Sequence, residues 1–276
     1  MNPIAGAGTG RALAADLRAR LEARGHRVEV VERAGALGAP DRIVVVGGDG
    51  TLNDVVNALP DPGAIPVAQL ALGTANMLAR ELHLPRTPEG VAALVEADVV
   101  RRIDVGTANG RRFLMNASCG FDARVVEAIA RRRRGSLGFR GYARPILEAL
   151  RGYREPRLAV RIDGGPPHAA ALAIVTNVRT YGGLFTLAQG ARCDSGRLVA
   201  CLFERARVRD LARIAAAGLT GRVGRLRGVG FYEARALRIE APEPVPVQVD
   251  GDWRGATPLE ITVQPRVLPL LVPGPP

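Results

Sequence analysis

Ile43-Val44-Val45-Val46-Gly47-Gly48-Asp49-Gly50-Thr51-Leu52-Asn53-Asp54-Val55-Val56-Asn57-Ala58-Leu59-Pro60 is the stretch whose reading decides the fold. Ile43 to Val46 are four consecutive β-branched residues, the mark of a strand buried on both faces of a parallel sheet. A glycine run follows at once, Gly47 to Thr51. Leu52, Val55, Val56 and Leu59 then recur at i, i+3, i+4 and i+7 until Pro60 stops the helix. A second copy of this punctuation comes next: Ile65 to Leu72 as strand, the loop Gly73-Thr74-Ala75-Asn76, and a helix through Glu81 before Pro85. Upstream, Leu13, Leu17 and Leu21 mark a helix closed by Gly25, and Val28 to Val31 reads as a strand. Such alternation predicts an open α/β sheet with ligands at the carboxyl ends of its strands.

Beyond about Ile103 the rhythm changes to short alternating strands. In Arg157 to Asp163, the side chains of Leu158, Val160 and Ile162 point one way, and those of Arg157, Arg161 and Asp163 the other. Similar runs occupy Ala171 to Thr176, Leu198 to Phe203, Leu237 to Glu240, Val245 to Val249 and Leu259 to Val263. Helical patterns fall at Phe121 to Arg132, Tyr142 to Leu150 and Val208 to Leu219. The second half is therefore expected to be a mainly β, sandwich-like domain.

At 276 residues the chain is long enough for one large or two small domains with a real core, and its 47% hydrophobic content excludes a disordered polymer. Aromatics are only 4%, so small apolar side chains must fill the interior. All 38 basic residues are arginine, and the net charge of +11 favours anionic surfaces such as phosphate or lipid heads. No apolar stretch approaches the roughly 18 residues of a membrane-spanning helix, and Met1 to Arg20 does not read as a secretory leader, so a cytoplasmic location is expected. Cys119, Cys193 and Cys201 lack zinc-ligand spacing and read as reduced structural thiols. Aromatic-rich stacking stretches are absent, which argues against nucleic acid as the partner of the basic charge.

Glycines let a backbone approach phosphate closely, and a loop that opens a helix aims N–H groups at an anion. Gly6-Ala7-Gly8-Thr9-Gly10 has this composition without the lysine of a Walker loop. Gly47 to Thr51 is more specific, because a buried strand feeds it and a helix leaves it. Asp49 is out of place in a pure anion cradle and fits a site where a divalent cation or a substrate hydroxyl comes near. Thr74 and Asn76 of the next loop are candidates to bond phosphate or ribose.

Asn2-Pro3 with Gly6 and Gly8, Gly47 to Asp54, Gly73 to Asn76, Ile103-Asp104-Val105-Gly106, Gly120-Phe121-Asp122-Ala123 and Val249-Asp250-Gly251-Asp252 follow one another in the order seen in the diacylglycerol kinase and sphingosine kinase family. The chain resembles that family over nearly its whole length. The resemblance implies a phosphofructokinase/NAD-kinase-like α/β nucleotide-binding domain at 1–104, rejoined by 266–276, and a β-rich lipid-substrate domain at 105–265. It implies ATP and Mg²⁺ as cofactors, a lipid substrate, and peripheral contact with an anionic membrane at its inner face. The oligomeric state is left open, a dimer included.

By the same resemblance Asn2, Pro3, Gly6, Gly8, Gly47, Gly48, Asp49, Gly50, Thr51, Gly73, Thr74, Asn76 and Asp250 bind nucleotide, and Asp252 is the candidate catalytic base with Asp49 as its competitor. Members of the family usually carry Glu where Asp252 stands. Asp250-Gly251 is also an ordinary hairpin signal. Asp194 and Asp104 are the candidate metal ligands, in a loop where Ser195 replaces the family's second acid, and Met77 stands where many members have Asp. With lysine absent, Arg134 and Arg140 are the candidate phosphate cations. Arg131 to Arg133 read as a solvated helix end or a patch for anionic lipid heads, and Tyr181-Gly182-Gly183 as a family loop near the cleft or a plain turn. The leading expectation is an ATP-dependent lipid kinase acting on diacylglycerol, a sphingoid base or a similar alcohol. The alternatives are an NAD-kinase-like small-molecule kinase and a non-catalytic lipid or nucleotide sensor. Asn2 to Gly8 looks like a loop without its preceding strand, so the true start is expected upstream.

Overall fold

The computed structural model describes residues 10–32, 38–131 and 139–274. The chain divides into two compact units, Met1–Ile103 with Arg266–Pro276, and Asp104–Pro265.

The first unit contains α1 (Gly10–Ala23), β1 (Ile43–Gly47), α2 (Asp49–Ala58), β2 (Val67–Ala71), α3 (Met77–Glu81) and α4 (Pro88–Ala97), and it ends in the first residues of β3 (Val100–Ala108). β1 and β2 pair in parallel from Ile43↔Val67 to Gly47↔Ala71, and the chain's last strand joins β2 in parallel at Leu270↔Val67. Ala14, Leu17 and Leu21 of α1 and Val91, Ala92, Leu94 and Val95 of α4 pack with Val46, Ala68 and Leu70 on one face of this sheet. Val45, Val67 and Gln69 alternate onto the other face and are buried too, as a β-branched run in a parallel sheet requires. Val28 to Val31 departs from expectation: it carries no strand, and Val30 is 46% exposed. A strand is defined by its ladder, and the strand pairings of the described residues do not include this segment.

The second unit is a β-sandwich. Its strands are β4 (Arg111–Phe113), β5 (Asn116–Cys119), β6 (Leu158–Ile162), β7 (Pro167–Ala170), β8 (Leu172–Thr176), β9 (Thr180–Tyr181), β10 (Phe185–Thr186), β11 (Leu198–Phe203), β12 (Val229–Ala234), β13 (Ala236–Glu240), β14 (Pro246–Val249), β15 (Asp252–Ala256) and the front of β16 (Leu259–Leu271). Its helices are α5 (Phe121–Ala130), α6 (Ala143–Leu150) and α7 (Val208–Leu219). One antiparallel sheet runs β12-β11-β8-β5-β14-β15, and β16, β13, β6 and β7 lie side by side in the other. Ala117, Val175, Leu198 and Val247 meet Phe113, Leu158, Val160, Leu237, Ile239, Leu259 and Ile261 between the two layers. β6 shows the expected alternation, with Leu158 and Val160 buried and Arg161 exposed. The three cysteines are free and buried.

Candidate functional site

Candidate site residues fall in both units. In the first, the helix that follows β1 begins earlier than its apolar spacing indicates. α2 starts at Asp49 with Gly48 as its N-cap, so the glycine run is itself the first helical turn. The N–H groups of Asp49 and Gly50 therefore precede the first intrahelical bond, which Leu52 donates to the Gly48 carbonyl at 3.1 Å. The loops after β1 and β2 touch backbone to backbone. A Cβ on Gly48 would stand 2.8 Å from the Gly73 Cα, and one on Gly73 would stand 2.7 Å from the Gly48 Cα. Only glycine fits at both positions, and the two loop backbones meet at the carboxyl ends of neighbouring strands, as a phosphate cradle requires.

Asn76 holds the second loop. It sits in the left-handed region (φ 47°) as the N-cap of α3. Its Oδ1 accepts from the Gly73 N–H at 2.8 Å, and its Nδ2 donates to the Gly73 carbonyl at 2.7 Å. The side chain expected to bond a nucleotide is thus taken up in closing its own loop, while Thr74 is exposed at the tip. Asp49 Oδ2 accepts from the Met77 backbone N–H at 2.9 Å, and Oδ1 is out of solvent without a hydrogen-bond partner among the described residues. Burial pushes the Asp49 carboxyl above the ordinary carboxylate range, outweighing the nearby N–H groups of Met77, Leu78 and Asn76 and the charge of Arg80.

In the second unit Asp250 and Gly251 form the two-residue turn between β14 and β15, both at positive φ (48° and 83°), with Val249 paired to Asp252. The Asp250 carboxylate accepts the N–H groups of Leu114 (2.8 Å), Met115 (3.0 Å) and Asn116 (2.8 Å). The oxygens of Asp250, expected to bind nucleotide, thus anchor the turn to the strand beside it. Asp252, first residue of β15, makes a 2.9 Å ion pair with Arg254 and keeps 43% of its side chain exposed. Gln248 steadies the turn from within, its Oε1 accepting from the Gly251 N–H at 2.8 Å while its Nε2 donates to Asn116 Oδ1 (2.7 Å) and Ser118 Oγ (2.8 Å).

That network leads to a group of residues the sequence did not single out as a site. The Ser118 hydroxyl donates a short hydrogen bond to Asp122 Oδ2, which also accepts from Tyr181 Oη at 2.7 Å. Asp122 Oδ1 is out of solvent without a partner among the described residues, and burial raises the Asp122 carboxyl above its ordinary range. The signals for it were Gly120-Phe121-Asp122-Ala123 and Tyr181-Gly182-Gly183; nothing local shows that 59 residues of sequence separate two groups in contact.

Asp104 and Asp194 do come to one loop. Asp104 is fully buried, its Oδ2 accepting from the Gly196 N–H at 2.7 Å, its own N–H donating to the Cys193 carbonyl. Asp194 pairs with Arg192 at 3.3 Å, and the Ser195 hydroxyl donates to the Arg197 carbonyl at 2.9 Å. Among the described residues no group of three or more His, Cys, Asp and Glu is placed to hold a metal ion. The donors at 192–196 do not fit a fixed cation, because hydrogen bonds of the loop itself already engage them. Asn2, Pro3, Gly6, Gly8 and Arg134 lie outside the described residues, as does the side chain of Arg140, whose backbone is in a short 3₁₀ turn, Phe139–Tyr142.

The diacylglycerol kinase catalytic domain model matches residues 1–108, and the model of the YegS C-terminal NAD kinase beta sandwich-like domain matches residues 115–272. A protein of Pseudomonas aeruginosa (strain UCBPP-PA14) named "Probable lipid kinase YegS-like" is 31% identical over 258 residues, 89% of this chain and 80% of that one. The chain belongs to the diacylglycerol kinase family of lipid kinases. A family member from Bacillus subtilis (strain 168), named diacylglycerol kinase, is 28% identical over 84% of this chain and 78% of its own. The fold is shared with the crystal structure of a diacylglycerol kinase from Bacillus anthracis str. Sterne, at TM-score 0.71 and 21% identity, covering 99% of this chain and 94% of the other. Seen as a family member, the chain places the family's glycine motifs at β1 and β2 and its acidic motif at the β14–β15 turn. Met77, where many members have Asp, contributes its backbone N–H to Asp49 and buries its side chain.

Proposed function

We propose that this lipid kinase transfers the γ-phosphoryl group of ATP to a hydroxyl of a lipid such as diacylglycerol or a sphingoid base. The observation that carries the reading is the backbone contact of Gly48 and Gly73, which brings two glycine loops together beside the uncapped first turn of α2. Gly47 to Thr51, with Gly73 and Thr74, take the nucleotide phosphates. Magnesium accompanies the nucleotide and not the 192–196 loop.

In the transfer, the acceptor hydroxyl gives its proton to a carboxylate while its oxygen bonds to phosphorus and the bridging P–O bond to ADP breaks. Asp49 suits the proton-accepting role because one oxygen is held by a backbone N–H and the other lies out of solvent without a hydrogen-bond partner among the described residues. Burial raises its affinity for the proton. Asp252 is the alternative base; its carboxylate is half-exposed and already engaged by Arg254.

The test is incubation of the protein with labelled ATP, magnesium and a total lipid extract. Label recovered in a chloroform-soluble product, and lost in Asp49→Asn by about 10²- to 10⁴-fold, supports the reading with Asp49 as base. The same loss in Asp252→Asn with Asp49→Asn nearly unaffected moves the role to Asp252. Label passing only to a water-soluble nucleotide identifies a small-molecule kinase, and nucleotide binding without transfer on any lipid identifies a sensor; either overturns the proposal.

A further inference from the structure

The apolar stripe of α6 faces outward. Ala143, Ile146, Leu147 and Leu150 recur at i, i+3, i+4 and i+7, the spacing that ordinarily turns toward a core. The residues that α6 buries are instead Pro145 and Ala149. Leu147 is 62% exposed and Ile146 38%, and Tyr142, one residue before the helix, is 40% exposed. α6 packs against α5 on its inner side. No described helix is long and apolar enough to cross a membrane.

The stretch of sequence that carries this stripe is strongly basic. Residues 131–157 hold nine arginines against two glutamates, so 27 residues carry +7 of the chain's net +11. On α6 itself Arg144 is 81% exposed, and its companion Glu148 only 22%. An exposed apolar stripe on a helix with arginines before, within and after it has the layout of an interfacial helix: the leucines enter the acyl boundary and the guanidinium groups meet phosphate. A protein partner would be expected to set acidic side chains against such a surface; a second copy of this chain would bring more arginine instead.

We infer that α6 docks this unit on an anionic bilayer, with Ile146 and Leu147 inserted and the exposed Arg144 and Arg151 on the lipid phosphates. The proposal goes beyond the phosphotransfer reading and rests on it only for preferring a bilayer to a protein as the occupant.

The test is co-sedimentation of the full chain, without nucleotide, with vesicles of equimolar phosphatidylglycerol and phosphatidylcholine, and with vesicles of phosphatidylcholine alone. The chain is expected on the anionic vesicles only, released by high salt. Leu147→Glu should weaken that binding by about tenfold or more, whereas Leu219→Glu, at an equally exposed leucine of α7 (64%), should bind like the parent. The milder Leu147→Ser should fall between parent and Leu147→Glu, and it stands in if the glutamate variant loses its thermal transition. Unchanged binding by the Leu147 variants, or equal loss in Leu219→Glu, overturns the proposal. So does a parent that is a dimer by light scattering and becomes a monomer in Leu147→Glu, which assigns the stripe to a second copy. Because no nucleotide is present, failure of the kinase reading leaves this result unaffected.

Discussion

Asp49 and Asp122 occupy matching local positions in the two units. Each lies in the first turn of a helix whose N-cap is a glycine, Gly48 for α2 and Gly120 for α5. Each has Oδ2 hydrogen-bonded and Oδ1 out of solvent without a partner among the described residues, and burial raises each carboxyl. The donors differ. Asp49 takes a backbone N–H, fixed by the start of α3, whereas Asp122 takes two hydroxyls, from Ser118 and Tyr181. A backbone donor cannot turn away or accept in return, so the Asp49 carboxylate is held in one place whatever its charge. Hydroxyls rotate, and the Asp122 group can exchange donor and acceptor roles as its proton comes and goes. The first arrangement suits chemistry at a fixed point; the second suits a buried polar knot that braces Gln248 and the turn before Asp252.

The sharpest way to break this comparison is activity. Asp49→Asn should cut phosphotransfer by about 10²- to 10⁴-fold, while Asp122→Asn should stay within about tenfold of the parent, because Asn still accepts from Ser118 and Tyr181. Equal losses in a steady-state assay would place both acids in the chemistry. Stability separates the two next. Ser118→Ala combined with Tyr181→Phe strips Asp122 of both hydroxyls and should cost about 1–3 kcal/mol in urea unfolding. Gly73→Ala should cost a comparable amount by forcing apart two backbones and also abolish transfer, since the crowded atom is the Gly48 Cα. A double variant as stable as the parent would show that the Asp122 knot carries no weight.

The smallest effect is a slope with pH. An acid whose folded pKa is raised contributes stability that is full below its unfolded value, about 3.9 for Asp, and lost as pH rises through the raised folded value. The stability of the parent relative to Asp122→Asn should therefore fall as pH rises above about 4. Asp49→Asn should show the same sign, because burial dominates there as well. A flat difference for either acid would mean that it is solvated in the folded protein.

Much of the first unit was legible from the residues because its signals are local. Ile43 to Val46, the glycines and the spacing of Leu52, Val55, Val56 and Leu59 all act within one turn or strand. Elsewhere the pattern misled. The strand expected at Ala171 to Thr176 is β8, but β7 just before it was not legible: the chain leaves β7 in one layer and starts β8 in the other as the Ala171 N–H reaches the Phe203 carbonyl. Leu259 to Val263 reads as a short strand and 266–276 as a separate return to the first domain, whereas β16 is continuous over 13 residues and pairs with β13 at its front and β2 at its end. α6 was recognised as a helix from its period, but the same period points its leucines inward, and they face out. The anchoring of Asp250 was not legible either, because the N–H groups it accepts belong to Leu114, Met115 and Asn116, more than 130 residues earlier.

Backbone sterics and short-range periodicity work over a few residues, and so the letters alone determined where glycine loops open helices, which half is α/β and which β-rich, and the family. Solvation and hydrogen-bond partnership depend on what the fold brings from far along the chain. Only the tertiary structure could decide that Asn76 and Asp250 are braces, that Asp49 and Asp122 are desolvated acids, and that the apolar edge of α6 is left open.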